Sequence, residues 1–143
     1  MHYGLKVTLW GVAMVGLIQL IPITRDNPST PKDQEIVVPE KIKALMVKSC
    51  YDCHANTTTW PWYSYFAPFS WTIADHVHDG RKALNFSVWN TYDEQKQQKL
   101  KRGIYKKVFM AMPPSSYTFA HENAILAEGE KKELQAWTGV TLE

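Results

Sequence analysis

A small all-helical domain is the fold class this sequence predicts, and three stretches carry the prediction. Ile42, Leu45, Met46 and Ser49 stand at i, i+3, i+4 and i+7, one face of a helix. Ile73, Val77 and Leu84 mark a second apolar face. Leu100, Ile104, Val108 and Met112 recur every four residues, with Tyr105 and Phe109 beside them, as a third. The chain of 143 residues sustains one domain with a modest core, and its 45% hydrophobic and 13% aromatic shares fit a folded chain. A formal charge of +2 is too small for a dedicated nucleic-acid binder, which concentrates basic residues, so no nucleic-acid partner is expected.

Taken in order, the chain divides at 1–24, 25–38 and 39–143. Val7 to Ile23 is a run of 17 residues without a charge. As a helix it covers about 25 Å, which Gly4, Leu5 and a snorkelling Lys6 could extend toward a full membrane span. A cleaved signal peptide wants small residues after the apolar run, yet this run exits through Gln19-Leu20-Ile21-Pro22-Ile23. An uncleaved anchor with its N-terminus in the cytoplasm is therefore the preferred reading and a cleaved signal the alternative; either places the domain outside the cytoplasm. Thr24 to Lys32, with Pro28 and Pro31 among polar residues, reads as a tether without stable structure. A domain helix begins near Pro39, suited to the first helical position, and runs to about Ser49.

That helix delivers the chain into Cys50-Tyr51-Asp52-Cys53-His54, which holds the only two cysteines. Two thiols three apart with a histidine directly after is the spacing of covalent haem attachment. Two cysteines so placed can add across the vinyl groups on one porphyrin edge, and the next imidazole then lies under the ring as proximal iron ligand. Three alternatives compete. A zinc site would need His76, His78 and His121 to complete its ligands; a thioredoxin-like dithiol would need a βαβ context absent here; a plain disulfide is the third.

After a polar turn, seven of the 18 aromatic residues fall between Trp60 and Trp71, where Pro61 and Pro68 prevent one continuous helix. Rings held on such a turn-rich segment form either an ordinary aromatic core or apolar walls for a flat cofactor, with Trp60, Trp62 and Arg81 as candidates for the propionate and rim environment. A helix follows from about Ser70 to Leu84, with His76 and His78 flanking its apolar face. Thr91-Tyr92-Asp93-Glu94 has the form of a capping box opening a helix to about Met110. The outer face of that helix carries Lys96, Lys99, Lys101, Arg102, Lys106 and Lys107, either a solvated surface or a docking face for an acidic redox partner. Met112-Pro113-Pro114 ends it, Ser115 to Asn123 reads as loop, and a last helix runs from about Ala127 to Thr138, closed by Gly139.

With His54 on one side of the iron, the other axial position falls to Met112, Met110, His76 or an open site. Met112 is best placed: the rigid Pro113-Pro114 fixes the backbone beside it, and the roughly 58 residues after His54 suffice to pass round the haem. A methionine on an apolar stripe is otherwise core packing.

The stretches CYDCHANTTTWPWYSYFAP, HVHDGRKALNFSVW and MPPSSYTFAHENAILAEGEKKELQAW resemble the bacterial haem-binding domain family, monohaem c-type cytochromes held behind an N-terminal apolar anchor. The resemblance covers Cys50 to Trp137. It implies haem thioethers at Cys50 and Cys53, His54 as proximal ligand and Met112 as the methionine before proline. His76, Gly80-Arg81 and Leu84-Asn85-Phe86-Ser87 also fall on the family pattern, which this chain leaves at Ala111, where the family has an acidic residue. About four helices around one covalent haem c, as in class I cytochromes c, follow as the expected architecture. Single-electron transfer between redox proteins is the expected function, since no nucleophile, acid–base pair or phosphate loop is organised as an enzyme would need. A small peroxidase using His76 as distal base and a gas or redox sensor with a labile sixth ligand are the alternatives.

Overall fold

The structure is a computed structural model that describes residues 2–141. Seven α-helices and no strand are found among them: α1 (His2–Ile18), α2 (Glu40–Ser49), α3 (Tyr51–His54), α4 (Phe69–Ala83), α5 (Glu94–Met110), α6 (Ser115–Ala120) and α7 (Glu128–Thr138). Short 3-10 turns at Lys32–Gln34, Trp62–Tyr65, Phe86–Thr91 and Glu122–Ala124 join them. The domain is all-α, with more and shorter helices than the four expected.

The α2 periodicity becomes core, while the α4 face buries only Val77 fully and the α5 stripe only Val108, with Met112 beyond its end exposed. Ile42, Leu45, Met46 and Ser49 of α2 are all buried. So are Val108 of α5 and Leu134 of α7, and these two helices pack on each other while α7 also meets α2. Phe86, 1% exposed, sits at the centre, stacked on Tyr51 with ring centroids 5.4 Å apart. Gly139, at φ 65, closes α7 in the left-handed conformation that glycine adopts without strain.

Four local expectations are corrected. The apolar N-terminal helix ends at Ile18 instead of reaching Ile23, because Gln19 turns its amide onto the Ala67 backbone and Pro22 cannot extend a helix. Among the described residues, no helix is long and apolar enough to cross a membrane. The stretch expected to be an unstructured tether is instead fastened to the domain: Arg25 donates to the Ser64 carbonyl, Asn27 pairs with Thr58 in both directions, and buried Ile36 donates to the Phe86 carbonyl at 2.9 Å. Its polar side chains find fixed acceptors there, which composition alone does not reveal. Asp93, not Thr91, caps α5 by accepting the Lys96 N–H at 2.7 Å. Finally, the expected loop after the double proline contains α6, with Pro114 preceding its first turn.

Candidate functional site

α2 ends at Ser49, and the chain turns at Cys50 into α3, a single helical turn that holds Cys53 and His54. Both cysteines are free thiols. Burial, with the neighbouring Cys53 adding to it, pushes the Cys50 thiol up to about 12; burial and then Asp52 push Cys53 up to about 11, against a smaller opposing pull from Arg81. Both are thus neutral thiols at ordinary pH, unlike the lowered thiol of a reactive dithiol. Among the described residues no group of three or more His, Cys, Asp or Glu side chains is gathered to hold a metal ion, so the zinc reading with His76, His78 and His121 finds no ligand cluster.

His54 is fixed by α4. Its Nδ1 lies 2.9 Å from the Gly80 carbonyl and 3.1 Å from that of Leu84, and since carbonyl oxygens only accept, Nδ1 is the ring's donor. The tautomer that follows leaves Nε2 with its lone pair free, the arrangement by which a backbone carbonyl orients a metal-binding imidazole. The Phe86 ring stands edge-on to the imidazole, centroids 6.3 Å apart.

Such contact needs α4 to press against α3, and Gly80 permits it. A Cβ at position 80 would stand 2.4 Å from the Cys53 carbonyl oxygen. Next to it, Arg81 gives Nε to the Ala55 carbonyl (2.9 Å), Nη1 to the Asp26 carbonyl (3.0 Å) and Nη2 to Asn27 Oδ1 and Thr58 Oγ1 (both 2.9 Å). This guanidinium, singled out for a rim role, clamps the turn after His54 to the 25–38 segment. The Leu84-Asn85-Phe86-Ser87 run supplies the other half of that support. Asn85 donates to Asn56 Oδ1 at 2.8 Å, and Ser87 Oγ accepts the Asn56 N–H at 2.9 Å.

The two residues between the cysteines, which the spacing rule leaves free, are both tied down. Tyr51 is buried; its hydroxyl accepts from Lys43 at 2.6 Å and donates to Glu35 at 3.0 Å. Asp52 accepts the Thr59 N–H at 2.9 Å and the Tyr117 hydroxyl at 2.7 Å. Sequence reasoning missed Tyr51, Asp52 and Tyr117; for Tyr117 the available signal was its place in the MPPSSYTFAHEN stretch.

The remaining candidates are scattered around this centre. Trp60 buries its indole Nε1 with no partner, as does Trp71, and a buried donor without an acceptor fits a site built for a carboxylate-bearing ligand. Trp62 is 75% exposed, edge-on to Tyr63 and Phe66. His76 is exposed on α4. Met110 is exposed at the end of α5, and Met112, two residues on, is 40% exposed where the core methionine Met46 is 1%. Core packing therefore does not account for Met112. A pair of neutral thiols, an oriented imidazole with Nε2 free and orphaned indole donors fit a haem.

Compared with known proteins, residues 13–139 match a family model described as a haem-binding domain. No curated protein and no solved structure matches the chain.

Gly80→Ala tests the close approach of α4 to α3. Alanine favours a helix interior by about 1 kcal/mol, but overpacking against fixed backbone costs about 1–3 kcal/mol. A net loss of stability is expected in guanidinium denaturation of the haem-loaded protein, and a gain would contradict the contact.

Proposed function

The chain belongs to the haem-binding domain family, and on that premise we propose that it is a monohaem c-type cytochrome carrying single electrons between redox proteins, its iron ligated by His54 and Met112. The observation that supports this reading best is His54. Its Nδ1 proton is committed to the Gly80 and Leu84 carbonyls, which fixes the ring plane and leaves Nε2 as a lone-pair donor directly after two neutral thiols. Cys50 and Cys53 would hold the porphyrin edge through thioethers. The bound haem supplies an iron that alternates between ferric and ferrous states.

What the protein contributes is restraint. Each carbonyl on His54 strengthens its donor character, and the Arg81 and Asn85 clamps stop the turn after it from shifting when charge changes at the iron. Held by both His54 and Met112, a haem iron would have a raised reduction potential and would offer no free ligand position to a substrate. The exposed cations of α5, Lys96, Lys99, Arg102, Lys106 and Lys107, form a surface suited to steering an acidic partner toward the haem edge. Membrane attachment on the periplasmic side is part of the same proposal. Trp10, Met14 and Leu17 of α1 are all more than half exposed, so that helix keeps its apolar residues for something other than the domain core.

Two readings stay as alternatives with their own readouts: a peroxidase-like enzyme, for which His76 would be the distal base, and a sensor with a labile sixth ligand. Both need a sixth position that opens. In the ferric protein, the weak near-infrared absorption band that marks thioether sulfur on iron is expected, and Met112→Ala is expected to abolish it and to admit carbon monoxide to the ferrous iron. Survival of the band in that variant would exclude Met112, while ready carbon monoxide binding by the unaltered protein would favour the enzyme or sensor. Alkaline extraction of membranes from cells making the full chain should leave it in the pellet; release into the supernatant would remove the anchor.

A further inference from the structure

The segment that bears Met112 is joined to the haem-attachment turn by one short polar contact. α6 starts directly after Pro113-Pro114, and the Tyr117 and Thr118 N–H groups both donate to the Pro114 carbonyl at 3.0 Å, so Tyr117 is carried in fixed relation to the double proline. From there its hydroxyl reaches Asp52 Oδ2 at 2.7 Å. Asp52 lies between the two cysteines and is itself held: its other carboxylate oxygen accepts the Thr59 N–H, and its backbone carbonyl accepts the Thr58 hydroxyl at 2.7 Å. On the far side of Tyr117, the His121 ring stacks at 4.3 Å between centroids, with the Tyr63 hydroxyl 3.3 Å from its Nε2.

Nothing else of comparable strength is available to α6, which has no buried residue; Phe119 on the same helix is 91% exposed. Tyr117 and His121 are only half-buried, so burial holds this segment in part, and a hydrogen bond to a carboxylate is among the stronger polar contacts a protein makes. Burial and the carboxylate beside it push the Tyr117 phenol up, which keeps it a donor.

We propose that the Tyr117–Asp52 hydrogen bond is a latch that fastens the Met112 segment to the attachment turn, making Tyr117 a positioning residue for the sixth iron ligand. The inference rests on the His54/Met112 reading. It also gives the residue between the cysteines a task, since the same turn that attaches the haem on one side then holds the opposite ligand's chain in register.

The test uses the full-length haem-loaded protein in the ferric state, titrated with imidazole while the thioether-to-iron band is followed. Tyr117→Phe keeps the ring stacked on His121 and removes only the donor. Half-displacement of the thioether is expected at about ten-fold lower imidazole than in the unaltered protein. Asp52→Ala removes the same bond from the other side and should do the same, with the double variant no weaker than the weaker single one. Phe119→Ala, an exposed neighbour, should titrate like the unaltered protein. Amide hydrogen exchange adds a readout independent of the iron: protection over 112–121 should fall in Tyr117→Phe while α2 and α7 keep theirs. Unchanged imidazole titration in both single variants, or additive losses in the double variant, would overturn the latch. If Met112→Ala leaves the band intact, the ligand reading fails and the latch with it; if Met112→Ala abolishes the band while Tyr117→Phe behaves as unaltered, the latch alone fails.

Discussion

The contact on which the site depends is the donation of the His54 Nδ1 proton to two backbone carbonyls at the end of α4. It selects the tautomer, leaves Nε2 as the ring's lone-pair nitrogen, and requires that two helices approach within a distance that any side chain at position 80 would obstruct. Much of the surrounding architecture follows from that requirement. Arg81, the next residue, spends its donors on Ala55, Asp26, Asn27 and Thr58, which close the turn after His54 from outside. Phe86 closes it from inside, packed between Tyr51 and the imidazole edge.

Seen from the attachment turn, each intervening residue binds a different part of the molecule. Tyr51 points into the core, where burial and then its hydrogen bond to Glu35 keep the phenol protonated. Asp52 points the other way, to Thr59 and Tyr117. A four-residue helix has too few backbone bonds to be rigid by itself, and these side-chain ties supply what its length does not. Cys50, Cys53 and His54 are thereby mounted on both the core and the outer segment that follows Met112.

The helices were legible because burial has a period: Ile42, Leu45, Met46 and Ser49 could be read as one face from spacing alone, and all four are buried. The C-x-x-C-H cluster stands out in the sequence because the attachment chemistry proposed for it would fix both residue type and separation. Arg81 and the Asn85–Ser87 run were visible only as parts of a family pattern, since their partners lie 23 to 55 positions away and no local rule connects them. The 25–38 segment was misread for the same reason: proline and polar residues look like a free tether until Asn27 meets Thr58. Tyr117 was hidden in what looked like loop, because a six-residue helix with no buried face leaves no periodic signal.

The central proposal is that the chain would hold haem covalently through Cys50 and Cys53. The most direct measurement is the intact mass of the protein purified from cells with a haem-attachment system and fully denatured before ionisation. A mass exceeding that of the chain by one haem is expected, lost when both cysteines are replaced by serine. A bare chain mass from protein that was red before denaturation would contradict covalent attachment.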